Sequence, residues 1–209
     1  MEKKRLLKRL DTTLVKMPAT TGIPSIDKPS TGTSKEVPDV DTMNPLITEA
    51  VVDYLNYRIQ QEEYSSRIYM SMTMWLDEKG FKGAAALWRK YSDEELTHAD
   101  ISRKYLLAFG VQPLTPRLDQ PQQDFSGSLP EIIQLSYEHE IEVSTQIKKM
   151  ADHALGMKDH MLYELCLGYL KEQVEEHDKM QTWVDKLKTF GTDPLALRFL
   201  DNDMAEVGG

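Results

Sequence analysis

Residues 91–100 read YSDEELTHAD and place a carboxylate and an imidazole on one helix face. Glu95 and His98 are three positions apart, a spacing that puts two side chains side by side on a helix. Traced outward at alternating spacings of three and four, this face continues through mostly apolar residues: Ala84, Trp88, Tyr91, Ser102, Tyr105 and Phe109. The pattern predicts a helix whose inward stripe is interrupted near its middle by Glu95 and His98.

Three other segments carry a similar stripe, each interrupted once by a carboxylate. The interrupting residues are Glu62 (between Ile59 and Ser66), Glu140 (between Tyr137 and Ser144) and Glu176 (between Gln173 and Met180). Any one of them could be a solvated or salt-bridged glutamate. Four coincident interruptions are different, because a buried carboxylate costs several kcal/mol unless it is paired or bound to metal. With no lysine or arginine on the four stripes, the pattern indicates a metal site, and oxygen ligands with one imidazole favour iron or manganese over structural zinc.

Prolines and glycines mark where these helices begin and end. Proline is absent between Pro45 and Pro113 and between Pro130 and Pro194, while Gly80, Gly83 and Gly156 interrupt the two spans. This spacing predicts helices over 46–79, 82–110, 129–155 and 158–190, followed by a short fifth helix after Asp193-Pro194.

The connections between the predicted helices indicate how they are arranged. The first and third connections are short, so their helices are expected to be antiparallel neighbours. Residues 111–128 are proline-rich and long enough to run the length of a bundle. We therefore expect an all-α fold, an antiparallel four-helix bundle with one long crossover and a short fifth C-terminal helix.

Composition narrows the functional classes. The chain has 209 residues, with 25 basic and 34 acidic side chains and a net charge of −9, which argues against a general nucleic-acid binder. The single cysteine, Cys166, excludes an internal disulfide and an all-cysteine metal site. No window is apolar enough for a membrane span, and the N-terminus lacks the apolar core of a secretory signal. These features favour an intracellular protein.

Residues 1–44 differ from the remainder of the chain. They contain eight basic and six acidic residues, hence a net charge of +2, and residues 18–42 are rich in proline, threonine and serine. We interpret 1–44 as a flexible extension with a basic, leucine-striped start, and 45–209 as the bundle. The start, residues 1–16, is a candidate for docking to a partner protein or an anionic membrane, or for a transit peptide; a tail without function is the alternative.

With these features, the sequence resembles the ferritin family, in its bacterial non-haem type, over about residues 43–205. The resemblance rests on four motifs in a fixed order. They are Glu62-Glu63-Tyr64-Ser65-Ser66; Gly83-Ala84-Ala85-Ala86-Leu87 with Glu94-Glu95-Leu96-Thr97-His98; Tyr137-Glu138-His139-Glu140; and Glu172-Gln173-Val174-Glu175-Glu176.

The resemblance implies a ferroxidase centre that oxidises Fe²⁺ with O₂ or H₂O₂. It assigns Glu62 and His98 to one iron, Glu95 to a bridge, and Glu140 and Glu176 to the second iron, with Gln173 nearby and Tyr69 beside the centre. It also assigns Glu94, Glu172 and Glu175 to a third iron site. The family further implies a hollow 24-subunit homo-oligomeric cage that stores ferric mineral. We expect a cytoplasmic location, or an organelle if the extension is a transit peptide.

Departures from related families limit the assignment. Leu96 stands where bacterioferritin has its haem-ligating methionine, so we expect no haem. Val174 lies three residues before His177, so helix four lacks a second Glu-x-x-His motif. Two alternatives remain open: another di-iron carboxylate oxidase or peroxidase, and a non-catalytic cage or bundle used for structure or interaction.

Overall fold

The computed structural model describes residues 46–125 and 128–208, and within these ranges the chain forms five helices and no strand. The helices are α1 (Glu49–Glu78), α2 (Lys82–Ala108), α3 (Leu129–Met157), α4 (His160–Phe190) and α5 (Pro194–Gly208). They confirm the predicted all-α class, and every predicted end of the four long helices lies within three residues of the observed one. None of the five combines the length and apolar character needed to cross a bilayer. The predicted extension, residues 1–44, lies outside the described residues.

Short connections bring the long helices together in two antiparallel pairs. Helix α1 packs along α2, and α3 packs along α4. Gly80 lies in the left-handed region at φ +86°, where glycine is favoured, and this turn ends α1. At the second turn the Asp159 carboxylate accepts a hydrogen bond from the Leu162 amide at 2.9 Å and caps the start of α4.

The long crossover from α2 to α3 runs along α1 in the direction of that helix. The Asn56 side chain accepts a hydrogen bond from the Leu114 amide at 2.9 Å, and Gln60 donates to the Arg117 carbonyl at 3.1 Å. Further along, Phe125 is buried and its ring lies 5.9 Å from that of Trp75. The crossover thus spans the bundle, as the sequence predicts.

Apolar side chains fill both ends of the bundle and leave a polar layer between them. One end contains Leu55, Leu106, Ile147, Leu162 and Cys166, among others. The other contains Leu76, Trp88, Ile132, Met180 and Trp183. The stripe carboxylates lie between these two groups along every long helix, so the bundle excludes water from the polar layer on both sides.

Helix α5 packs on the N-terminal end of α2, where only glycine fits. A Cβ atom at Gly83 would lie 1.9 Å from the Asp201 carbonyl oxygen. The Asp201 side chain is buried and accepts a hydrogen bond from the Ala84 amide at 2.8 Å. Because Phe81, at the N-cap of α2, makes no side-chain capping bond, Asp201 supplies the cap from 117 residues away.

Candidate metal centre

Three side chains from α1 and α2 converge at the middle of the bundle. Ligand atoms of Glu62, Glu95 and His98 all lie within 4.8 Å of one another. Both carboxylates are buried, and His98 Nδ1 lies 3.5 Å from Glu95 Oε2. The Tyr169 hydroxyl donates to the His98 carbonyl oxygen at 2.9 Å, so α4 holds this turn of α2 in place. The spacing suits one cation bound by two oxygens and one nitrogen.

Helices α3 and α4 bring a second group of residues to the same layer. Glu140 is buried, and it accepts a short hydrogen bond from the Tyr69 hydroxyl. Gln173 Nε2 donates to Glu140 Oε2 at 3.0 Å and to Ser144 Oγ at 3.2 Å. Glu140 is therefore oriented by hydrogen bonds from two other helices. The Glu140 carboxylate is near enough to Glu95 to contribute to raising the pKa of Glu95.

Burial and nearby negative charge disfavour ionisation of Glu95 and Tyr69. Burial raises the pKa of Glu95 well above its ordinary value, and the nearby Glu62 and Glu140 carboxylates raise it further. Burial likewise raises the pKa of Tyr69 well above its ordinary value, with Glu140 adding to the effect. A bound divalent cation would reverse this penalty for Glu95 and release its proton.

The stripes contain no lysine or arginine, and the inference that the carboxylates therefore lack counter-charges is wrong for two of the four. Arg58 is only 2% exposed, and its Nε lies 2.6 Å from Glu62 Oε1. Its Nη1 donates to Gln146 Oε1 at 3.1 Å. Arg58 lies beside the stripe and so is not among its residues, yet its spacing of four residues from Glu62 is a signal for such a pair.

Lys179 is the second cation at the centre. Its Nζ lies 2.9 Å from Glu176 Oε1 and 3.1 Å from Glu94 Oε2. Burial alone would lower the pKa of Lys179, but its hydrogen bonds to Glu176 and Glu94 raise it above its ordinary value. Burial raises the pKa of Glu176, and Lys179 opposes that shift. The signal missed in the sequence is the three-residue spacing between Glu176 and Lys179.

The three residues assigned to a third metal site differ in their burial and in their partners. Glu94 is half-buried and engaged by Lys179, Glu172 is half-buried, and Glu175 is exposed. The trio of converging ligand atoms within the described residues comprises Glu62, Glu95 and His98 and includes none of these three. The third site therefore stays a prediction.

Two further histidines lie near the centre, and each makes a hydrogen bond with a serine. His139 is buried, and its Nε2 lies 2.8 Å from Ser65 Oγ. His177 Nε2 lies 3.0 Å from Ser144 Oγ, the same hydroxyl that accepts from Gln173. Both imidazoles support the residues around Glu140 without joining the converging trio.

Chemically, the layer is a buried cluster in which carboxylates predominate. The four stripe glutamates and Glu94 outnumber the two basic side chains, Arg58 and Lys179, that pair with members of the cluster. Glu62 Oε2 is buried and has no hydrogen-bond partner. A metal ion bound beside Glu95 and His98 would give this carboxylate oxygen a partner, with the oxygen acting as its ligand.

Comparisons with known proteins agree with this architecture. A family model described as "Ferritin-like domain" matches residues 52–190. The chain is 30% identical over 162 residues to a probable bacterial non-heme ferritin-like protein of Haemophilus influenzae, covering 78% of this chain and 98% of that protein. It is also 30% identical over 160 residues to a bacterial non-heme ferritin of Escherichia coli O157:H7, covering 77% and 96%. An open-pore ferritin from the archaeon Archaeoglobus fulgidus superposes with a TM-score of 0.73 at 32% identity, covering 77% of this chain and 97% of that one.

Proposed function

Because the chain belongs to the ferritin family, we propose that it is an iron-storage ferroxidase, which oxidises Fe²⁺ at the carboxylate layer and stores the Fe³⁺ produced. The observation that carries this proposal is the convergence of Glu62, Glu95 and His98 at a buried point with an unpartnered carboxylate oxygen. Iron is the substrate and the stored product.

Two Fe²⁺ ions bind in the centre, and its residues divide between them. Glu62 and His98 bind the first ion, Glu140 and Glu176 bind the second, and Glu95 bridges the pair. Gln173 keeps Glu140 oriented through its 3.0 Å hydrogen bond. Tyr69, whose hydroxyl donates to Glu140, lies within reach of the second ion's ligands and can supply an additional electron when the centre is partly filled.

The oxidation balances with either of two oxidants. Each Fe²⁺ gives one electron, so two ions reduce O₂ with two protons to H₂O₂, or reduce H₂O₂ with two protons to two water molecules. The buried carboxylates favour this direction because anionic ligands stabilise Fe³⁺ more than Fe²⁺. The protein supplies geometry and charge, and it keeps both ions out of bulk water.

Storage requires an assembly around a cavity. We propose a hollow cage of 24 copies of this 24.0 kDa chain, into which Fe³⁺ moves after oxidation. Glu94, Glu172 and Glu175 form a third site on this route. The similarity to an open-pore ferritin and the long bundle with its short fifth helix support the assembly.

Replacing Glu95 with alanine tests the centre. Without the bridging carboxylate, the initial rate of Fe²⁺ oxidation should fall by about tenfold or more, since even residues behind metal ligands change activity by that amount. The measurement is stopped-flow absorbance after mixing metal-free protein with Fe²⁺ in air-saturated buffer. Asp93→Ala is the matched control, because Asp93 is an exposed carboxylate two residues earlier on α2. Equal rates for Glu95→Ala and the parent would overturn the assigned centre.

Iron content separates storage from the two alternatives. A storage cage should accumulate many more than two iron ions per chain when Fe²⁺ and O₂ are supplied repeatedly. A di-iron oxidase or peroxidase acting on another substrate would stop near two, and a structural cage would take up none at the centre. Iron assay of the particle after size-exclusion chromatography distinguishes these outcomes.

A further inference from the structure

Lys179 lies at the boundary between two of the proposed iron positions. Its ammonium group is 2.9 Å from Glu176 Oε1 on its own helix and 3.1 Å from Glu94 Oε2 on α2. It also lies 5.8 Å from the centre of the Tyr91 ring. A positive charge therefore occupies the space that joins a proposed ligand of the second iron to a proposed ligand of the third.

The two basic residues at the centre differ in their freedom to leave it. Arg58 is 2% exposed and enclosed between α1 and α3, so its guanidinium cannot move to solvent without opening the bundle. The Lys179 side chain is 35% exposed and carries its charge on a flexible four-carbon stem. Only Lys179 can withdraw from its carboxylates by a change of side-chain conformation.

The converging ligand atoms of Glu62, Glu95 and His98 include none that contacts Lys179 at salt-bridge distance. Glu62 keeps Oε2 without a hydrogen-bond partner despite its contact with Arg58, and Glu95 and His98 converge on the same point. Glu176, by contrast, has Oε1 engaged by an ammonium group. Glu62 and Glu176 thus each have Oε1 engaged by a basic side chain, but they differ in the mobility of that side chain. A metal ion can bind Glu62 through the unpartnered Oε2 while the enclosed Arg58 stays in place, whereas at Oε1 of Glu176 it competes with the hydrogen-bonded Lys179.

We propose that Lys179 is a displaceable counter-ion, which holds the Glu176–Glu94 side of the centre closed to metal until a second ion expels it. This inference deepens the proposed ferroxidase function and rests on it. The first metal ion binds at Glu62, Glu95 and His98 with Lys179 in place. The second binds more weakly because it must replace the charge-assisted hydrogen bonds of Lys179 with its own. Lys179 thus determines how much more weakly the second metal ion binds than the first.

Metal titration of Lys179 variants tests this role without any redox step. Isothermal titration calorimetry of the full-length assembled protein with Zn²⁺, which has no redox chemistry, gives the affinity of each class of site. In Lys179→Met and Lys179→Gln, the second Zn²⁺ should bind about tenfold more tightly, while the first stays as in the parent. Lys179→Arg retains a cation, so its second site should remain as weak as in the parent.

Lys186→Met provides the matched control. Lys186 lies on the same helix, has the same 35% side-chain exposure, pairs with Asp203 at 2.8 Å, and lies 4.8 Å from the Trp183 ring centre. It is expected to leave both affinities unchanged. A second site that is equally weak in the parent and in both neutral variants would overturn the role of Lys179 alone. Absence of a tight first site in the parent would overturn the proposed function and this inference together.

Discussion

At the scale of single residues, the charge of the polar layer depends on how each carboxylate is compensated. Glu62 shares one oxygen with the buried Arg58 and keeps the other without a hydrogen-bond partner. A buried ion pair contributes little net stability, but losing one partner is costly because it leaves an uncompensated charge in a low-dielectric interior. Arg58 therefore compensates the Glu62 charge through one oxygen and leaves the other, buried oxygen without a partner.

Replacing Arg58 with methionine tests this dependence. The variant should be less stable than the parent by about 3 kcal/mol or more in the metal-free state, because Glu62 stays buried without its partner. Guanidinium chloride unfolding followed by circular dichroism measures the difference. Arg67→Met, at an exposed position on the same helix, should change stability little. If the two variants unfold at the same denaturant concentration, the Arg58–Glu62 pair has no such role.

The stripe carboxylates could be predicted from the sequence, whereas the basic side chains that pair with two of them were not. Glu62, Glu95, Glu140 and Glu176 are all buried, as the stripes predict. Arg58 and Lys179 lie beside the stripes, and long basic side chains can reach a neighbouring line on a helix. The stripe pattern therefore does not contain these two residues. Their spacings of four and three residues from Glu62 and Glu176 are what indicates the pairs.

Among the helices, residues close in sequence determine where each helix begins and ends, whereas residues far apart in sequence determine how α5 packs on α2. The turns predicted from Gly80 and Gly156 depend on backbone conformation and capping, which are properties of a few adjacent residues. Gly156 itself lies within α3, and the second turn follows at Lys158, which is left-handed at φ +57°, and Asp159. The Asp193 carboxylate likewise accepts from the Ala196 amide at 3.0 Å and caps α5 as predicted. The packing of α5 on Gly83 joins residues far apart in the chain, so no local pattern indicates it.

Asp201 provides the test of that docking. Asp201→Ala removes the side-chain cap from Ala84 and should lower stability by about 1 kcal/mol, the usual cost of losing such a cap. Asp201→Asn keeps a side-chain oxygen that can accept the same hydrogen bond, and should retain most of the stability. Thermal unfolding by differential scanning calorimetry compares the two. Equal losses in both variants would assign the effect to the charge of Asp201 rather than to the cap.

At the scale of the whole molecule, the sequence predicts two parts with different tasks. The bundle contains the carboxylate layer, and its described helices carry every proposed metal ligand. The extension, residues 1–44, has a different composition and lies outside the described residues. Its boundary, and the cytoplasmic or organellar location of the protein, stay predictions.

Deleting residues 1–42 tests the predicted division. Because these residues include none of the proposed ligands, the shortened protein should form a particle with the same subunit number and oxidise Fe²⁺ at the parent rate. Size-exclusion chromatography with light scattering and stopped-flow absorbance provide the two measurements. A deletion that prevents assembly would show that the extension is structural.

Anomalous X-ray scattering from crystals soaked in Fe²⁺ without oxygen tests the proposed centre most directly. Data collected at the iron absorption edge should show one peak among Glu62, Glu95 and His98, and a second between Glu95, Glu140 and Glu176. With the second peak occupied, the Lys179 ammonium should have moved away from Glu176. A map with no iron peak among Glu62, Glu95 and His98 would contradict the assignment of this layer as a ferroxidase centre.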